Sequence, residues 1–212
     1  SGTPPLHLVL PSTVQTIGNY AFDGRSDMTG ELRFGSALTS IGMYAFYECK
    51  SLSGTLSLPA SLTTLGMYAF RDCTGIERLE WHVPAHPDGN NRNPVLYDIN
   101  AANGLQVVIG KEVQRVPALF LSNCNAASLT FEEGCQCTAI GDAAFAGAML
   151  SGSLVLPSTI TEIGSSAFSG NSLLSSIHIP SSVNKIGRYA FYECTNVNNL
   201  YFGPAEFTLE GG

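Results

Sequence analysis

Apolar residues return along this chain in one recurring phrase. Leu8, Leu10 and Pro11 lead through Val14 to Ile17-Gly18 and Ala21-Phe22. The phrase comes back as Leu32, Phe34, Leu38, Ile41-Gly42, Ala45-Phe46 and Cys49, then as Leu56, Leu58-Pro59, Leu62, Leu65-Gly66, Ala69-Phe70 and Cys73. Later copies run Leu154, Leu156-Pro157, Ile160, Ile163-Gly164, Ala167-Phe168, and Ile177, Ile179-Pro180, Val183, Ile186-Gly187, Ala190-Phe191, Cys194. Two partial copies begin at Val107 and Leu129. Leu79-Glu80-Trp81 falls where a strand is due, and Leu200-Tyr201-Phe202-Gly203 opens a last copy. The strand starts, 8, 32, 56, 79, 107, 129, 154, 177 and 200, are about 24 residues apart, and a period of this length is the signature of stacked repeats.

Each phrase opens with an apolar-polar-apolar strand whose alternating side chains put two residues inward and the middle one outward. Pro or Gly ends it, because Pro lacks a ladder donor and Gly tolerates turn conformations. The Ile-Gly and Ala-Phe pairs return further groups to the interior, with Gly allowing a bend and Ala leaving room beside Phe. No such coil buries itself alone, so the copies must stack, strand beside parallel strand at about 4.8 Å per step. The pattern predicts a curved rod of about nine coils, roughly 40 Å long on that spacing, with Phe22, Phe46, Phe70, Phe145, Phe168 and Phe191 in one aromatic column. For the Ala-Phe segment, a short helical turn and a second short strand both fit.

The order of paired Leu, Pro, Ile-Gly, Ala-Phe and Cys resembles the BspA-like class of leucine-rich repeats, found in surface and secreted proteins of bacteria and some protozoa. The likeness covers nearly the whole chain. It is specific in five copies, weaker around Val107 and Leu129, and nearly absent from Pro84 to Asn103. It implies a right-handed leucine-rich-repeat solenoid with a parallel strand sheet on its concave face. It also implies a non-catalytic surface adhesin or interaction module; the consensus residues are structural, and no catalytic motif carries over.

Composition narrows the partners. Of 212 residues, 44% are hydrophobic and 13% charged, enough to bury a sizeable core, and the net charge of -7 opposes a nucleic-acid ligand. The apolar runs fall far short of the roughly 20 residues that span a bilayer, and the numbered chain has no signal-peptide pattern. The whole of 1–212 reads as one solenoid domain with an irregular insertion at about 82–104. The leading Ser1-Gly2 and the finish at Glu210-Gly211-Gly212, just past the strand of a further coil, suggest part of a longer protein.

Candidate chemistry is sparse. Cys49, Cys73 and Cys194 share one slot of the repeat and Cys124 falls near it, so packing explains them, with a Cys49–Cys73 disulfide open in an oxidising compartment. Cys135 and Cys137 lack zinc-knuckle spacing and read as a loop insertion. His82 and His86 stand four apart, as in a helical metal pair, but Pro84 lies between them and argues against a helix. His7 and His178 occupy outward strand positions without an accompanying nucleophile. Glu132-Glu133 are adjacent, point apart and read as a solvated edge rather than paired catalytic carboxylates. No phosphate loop, nucleophile elbow, dinucleotide fingerprint or calcium loop occurs, so neither cofactor nor metal is expected.

Solenoids bind through the extended face their repeats create. The outward strand residues supply the candidates Arg33, Ser57, Arg78, Glu80, Gln106, Thr130, His178 and Tyr201. The stretch His82 to Asn103, with three prolines and five asparagines, adds Trp81 before it and Tyr97 within it. The expected role is an extracellular or cell-surface module for a protein or glycan ligand; the alternative is a passive spacer within a larger surface protein.

Overall fold

The computed structural model describes residues 6–89, 95–96, 98–99 and 101–203. Among these the chain winds through eight turns and begins a ninth strand, every strand pair is parallel, and no helix forms. One face carries a four-stranded sheet of Gly54–Leu58, Ile76–Trp81, Gln106–Ile109 and Ser128–Phe131, followed by a three-stranded sheet of Ser151–Val155, Leu173–Pro180 and Asn199–Gly203. The opposite side is held by two-residue strands at the residue pair that ends in the repeated Ile or Leu. Ile17 aligns with Ile41 and Ile41 with Leu65, and in the second half Val116, Ile140, Ile163 and Ile186 follow in register.

At the start the strands differ from expectation. Leu6–His7 pairs with Met28–Thr29, Gly30 bridges Leu52, and residues 31–35 form no strand although Leu32 is buried. There the Glu31 side chain, not a strand carbonyl, accepts the Thr55 N–H at 3.2 Å.

The Ala-Phe segment is neither helix nor strand. The residue before it has a left-handed backbone in seven coils: Tyr20, Tyr44, Tyr68, Leu119, Ala143, Ser166 and Tyr189, with φ between 50° and 60°. A left-handed residue interrupts both regular structures and costs an L-residue roughly 1–2 kcal/mol. It turns the following amides toward the next coil, so Phe22, Phe46, Phe145 and Phe168 each donate to the carbonyl of the next Ala at 2.8 Å. Ring contacts add to this: Tyr44 stacks on Tyr20 and meets Tyr68 at a tilt of 46°, each at 5.1 Å.

The glycine after Ile serves a close approach rather than a bend. A Cβ on Gly164 would sit 2.6 Å from the Asp142 nitrogen and from the Gly141 carbonyl carbon, inside the backbone of the coil before. Its φ is ordinary, so space alone excludes a side chain.

The aromatic column forms in two runs. Phe22, Phe46 and Phe70 stack at 5.1 and 5.3 Å, and Phe145, Phe168 and Phe191 at 5.5 Å each. Between them the large and small residues exchange places. Leu121, whose amide donates to Ala144 O as Phe145 donates to Ala167 O, holds the phenylalanine slot, and Phe120 holds the alanine slot before it. Phe120 meets Trp81 edge-on at 4.8 Å and Phe145 at 5.8 Å. Within 82–104, Leu96 is buried, its amide donates to Phe120 O, and its carbonyl accepts the Cys124 thiol. That thiol bond matches Cys49 to Phe22, Cys73 to Phe46 and Cys194 to Phe168 at 3.0–3.3 Å, which identifies Leu96 as the fourth coil's phenylalanine equivalent.

All six cysteines are free. Burial pushes the thiols of Cys49, Cys124 and Cys137 up to about 11, so they stay protonated near neutral pH. Cys135 and Cys137 both point into the core, although the segment from Phe131 to Ile140 is two residues longer than Ile109 to Val116. In one coil the thiol slot is taken by Asn171, fully buried, which donates to Phe145 O and Phe168 O and accepts the Leu150 N–H.

Candidate ligand-binding surface

Strand register places the outward side chains in rows across the coils. Thr55, Arg78, Gln106 and Ser128 form one row, and Ser57, Glu80, Val108 and Thr130 a second. In the later sheet Val155, His178 and Tyr201 continue the outward pattern. The alternation that sets the rows is the sequence's own: Leu56, Leu79, Val107 and Leu129 between them are buried.

Three of the expected residues meet in one cleft. Arg33, Ser57 and Glu80, with Glu31, Thr55 and Pro59, line an open cleft of about 540 Å³ across the second to fourth coils. Its charges are paired within their own segments: Arg33 reaches Glu31 at 2.6 Å and Arg78 reaches Glu80 at 3.0 Å. The Thr55 N–H, helped by Arg33, holds the Glu31 carboxyl below its usual range. A wider cleft of about 640 Å³ opens further along, between Thr130, Glu132 and Gln136 on one coil and Ser153, Val155 and Pro157 on the next.

The other expected residues are dispersed. Gln106 is exposed on the fifth coil, and Thr130, on the sixth, turns its hydroxyl to Val107 O. His178 points outward but is only 6% exposed, because the Tyr201 ring lies over it at 4.3 Å; its Nε2 is buried with no hydrogen-bond partner among the described residues. Trp81 is a correction: it is 0% exposed and cannot line a binding surface. Its register with Leu58 and Ile109 puts it at an inward position, where the indole fills the space between the two aromatic runs. Tyr97 lies outside the described residues. His82 and His86 diverge: His86 Nδ1 lies 2.8 Å from Pro87 O and its ring abuts Trp81, while His82 turns to Glu112.

Parallel coils of about two dozen residues, a ladder on each side and a repeated Leu/Ile interior define a leucine-rich-repeat solenoid. A family model described as BspA type leucine-rich repeat region matches in six copies over residues 5–84 and 102–209, and the chain belongs to that family. No curated protein matches it. Among solved structures, a leucine-rich repeat protein from Bacteroides ovatus is 19% identical over 94% of this chain, with a TM-score of 0.53; the chain spans 64% of that protein. A leucine rich cell surface protein from Faecalibacterium prausnitzii is 19% identical over 89% of this chain and 69% of its own, with a TM-score of 0.44. The first likeness shows the fold.

Proposed function

We propose that this chain is a non-catalytic interaction module of a secreted or cell-surface protein, and that it binds a protein or glycan through its outward strand face. The observation that carries this is the polar cleft at Arg33, Ser57 and Glu80, where three successive coils present hydrogen-bonding groups around an open volume. Such a surface suits hydroxyl-rich or peptide ligands better than apolar ones. The alternative is a passive spacer, favoured by the fact that the face's charges are neutralised by their own neighbours. Binding of the purified chain to an array of extracellular-matrix proteins and glycans separates the two. A saturable hit weakened at least tenfold by Arg33→Ala or by Ser57→Trp, which fills the cleft, supports the module. Silence across the array, or hits indifferent to both variants, favours the spacer.

A further inference from the structure

The slot that closes each strand holds Pro in several coils, as at Pro59, Pro157 and Pro180. In the fourth, fifth and sixth coils it holds His82, Gly110 and Glu132, the residues that follow the registered positions Trp81, Ile109 and Phe131. The three departures are coupled in space. Gly110 has no side chain where a Cβ would run into His82 Nδ1, so the imidazole leans over the fifth coil. There His82 Nδ1 lies 3.2 Å from Glu112 Oε2. Glu132 comes from the other side, its carboxylate held by the Lys111 N–H at 2.9 Å. One donor atom of each of His82, Glu112 and Glu132 lies within 4.8 Å of the other two.

We propose that His82, Glu112 and Glu132 form a binding site for one divalent transition-metal ion of the Zn²⁺ class. The His82–Glu112 contact alone is an ordinary side-chain hydrogen bond. The second carboxylate is what that contact leaves unexplained: among the described residues no Lys or Arg forms a salt bridge with Glu112 or Glu132, and the neighbouring Lys111 acts on Glu112 only as a more distant charge. A neutral imidazole with two carboxylates sums to a charge of about -2, which one divalent cation balances. An imidazole donor favours Zn²⁺ over Mg²⁺ or Ca²⁺, which take oxygen ligands. Donors around tetrahedral Zn²⁺ lie about 3.4 Å apart, given bonds of about 2.1 Å, so the donors must draw in by at most about 1.4 Å from their 4.8 Å limit. Glu80 Oε2, 4.0 Å from His82 Nε2, is placed to orient the ring from behind. Three protein ligands leave a position for water or a partner's donor, and the bound ion ties three successive coils together.

Titration of Zn²⁺ into the chelator-treated chain against an indicator dye, paired with thermal melting, tests the site. The expected result is one Zn²⁺ per chain, a melting temperature raised by Zn²⁺, and affinity reduced at least tenfold in both Glu132→Gln and His82→Ala. Glu133→Gln and His86→Ala should bind as the parent does. Metal-free melts show whether each variant is folded, and Gly110→Ala, which removes no ligand but displaces the imidazole, should also weaken binding. No saturable uptake by the parent chain, or both ligand variants binding one ion as tightly as the parent, overturns the site. Ca²⁺ competing equally with Zn²⁺ overturns the imidazole's part in it.

Discussion

Asn171 shows how much one slot of the coil demands. Four coils fill it with a thiol that donates to a single carbonyl of the coil before. Asn171 does that for Phe145 O and also accepts the buried Leu150 N–H. Asn171→Ala strands that amide, and an unsatisfied buried donor costs about 1–3 kcal/mol; with the lost donor bonds, a fall of about 2–3 kcal/mol in urea unfolding is expected. Asn171→Cys restores the bond the other coils make and should lose roughly half as much. Equal losses in the two variants would mean that the slot is set by volume, not by hydrogen bonding.

Within a single coil, the exchange at Phe120-Leu121 is the departure with most consequence for packing. Phe120→Ala removes the ring that bridges Trp81 and Phe145, and deletions of this kind cost about 3–5 kcal/mol. Adding Leu121→Phe returns the Ala-Phe order of the neighbouring coils and should recover part of the loss in the same unfolding measurement; a double variant no more stable than the single would count against the exchange. The period, the strand rows from the third coil onward and the six rings of the aromatic column are legible, because their residues repeat in kind; the altered strands of the first two coils and the break of the column into two runs are not. Nor is Leu96, since it does a phenylalanine's work in a stretch whose sequence keeps nothing else of the phrase. Bordering that stretch suggests a surface role for Trp81, but the alternation from Leu79 marks it as inward, as the structure has it. The cleft at Arg33, Ser57 and Glu80 joins residues of three coils that sequence places singly. The grouping of His82 with Glu132 needed the register across Gly110, which is visible only once the coils are aligned in space.

Across the whole molecule, cohesion comes from coil-to-coil backbone bonds and the continuous interior, not from crosslinks or charge. The six thiols are unlinked, and exposed pairs such as Lys185 with Glu162 at 3.1 Å contribute little. Among the described residues, strands pair only between adjacent coils, as in other solenoids. For a protein held at one end and tugged at the other, that architecture is a spool rather than a bolt. On the side where strands are two residues long, such as Ser40–Ile41 against Thr64–Leu65, coils part a few bonds at a time, and the longer strands of the other face, such as Gly54–Leu58 against Ile76–Trp81, hold each coil to the next until they yield in turn. Each coil let go frees the 24 residues that separate Ile17 from Ile41, about 80 Å of extended chain at roughly 3.4 Å per residue. Stretching single molecules should therefore give a train of small, evenly spaced lengthenings of about that size, where one abrupt rupture would show that the coils yield together. In a spacer, such stepwise release would spread a sudden pull over many small yields in place of one.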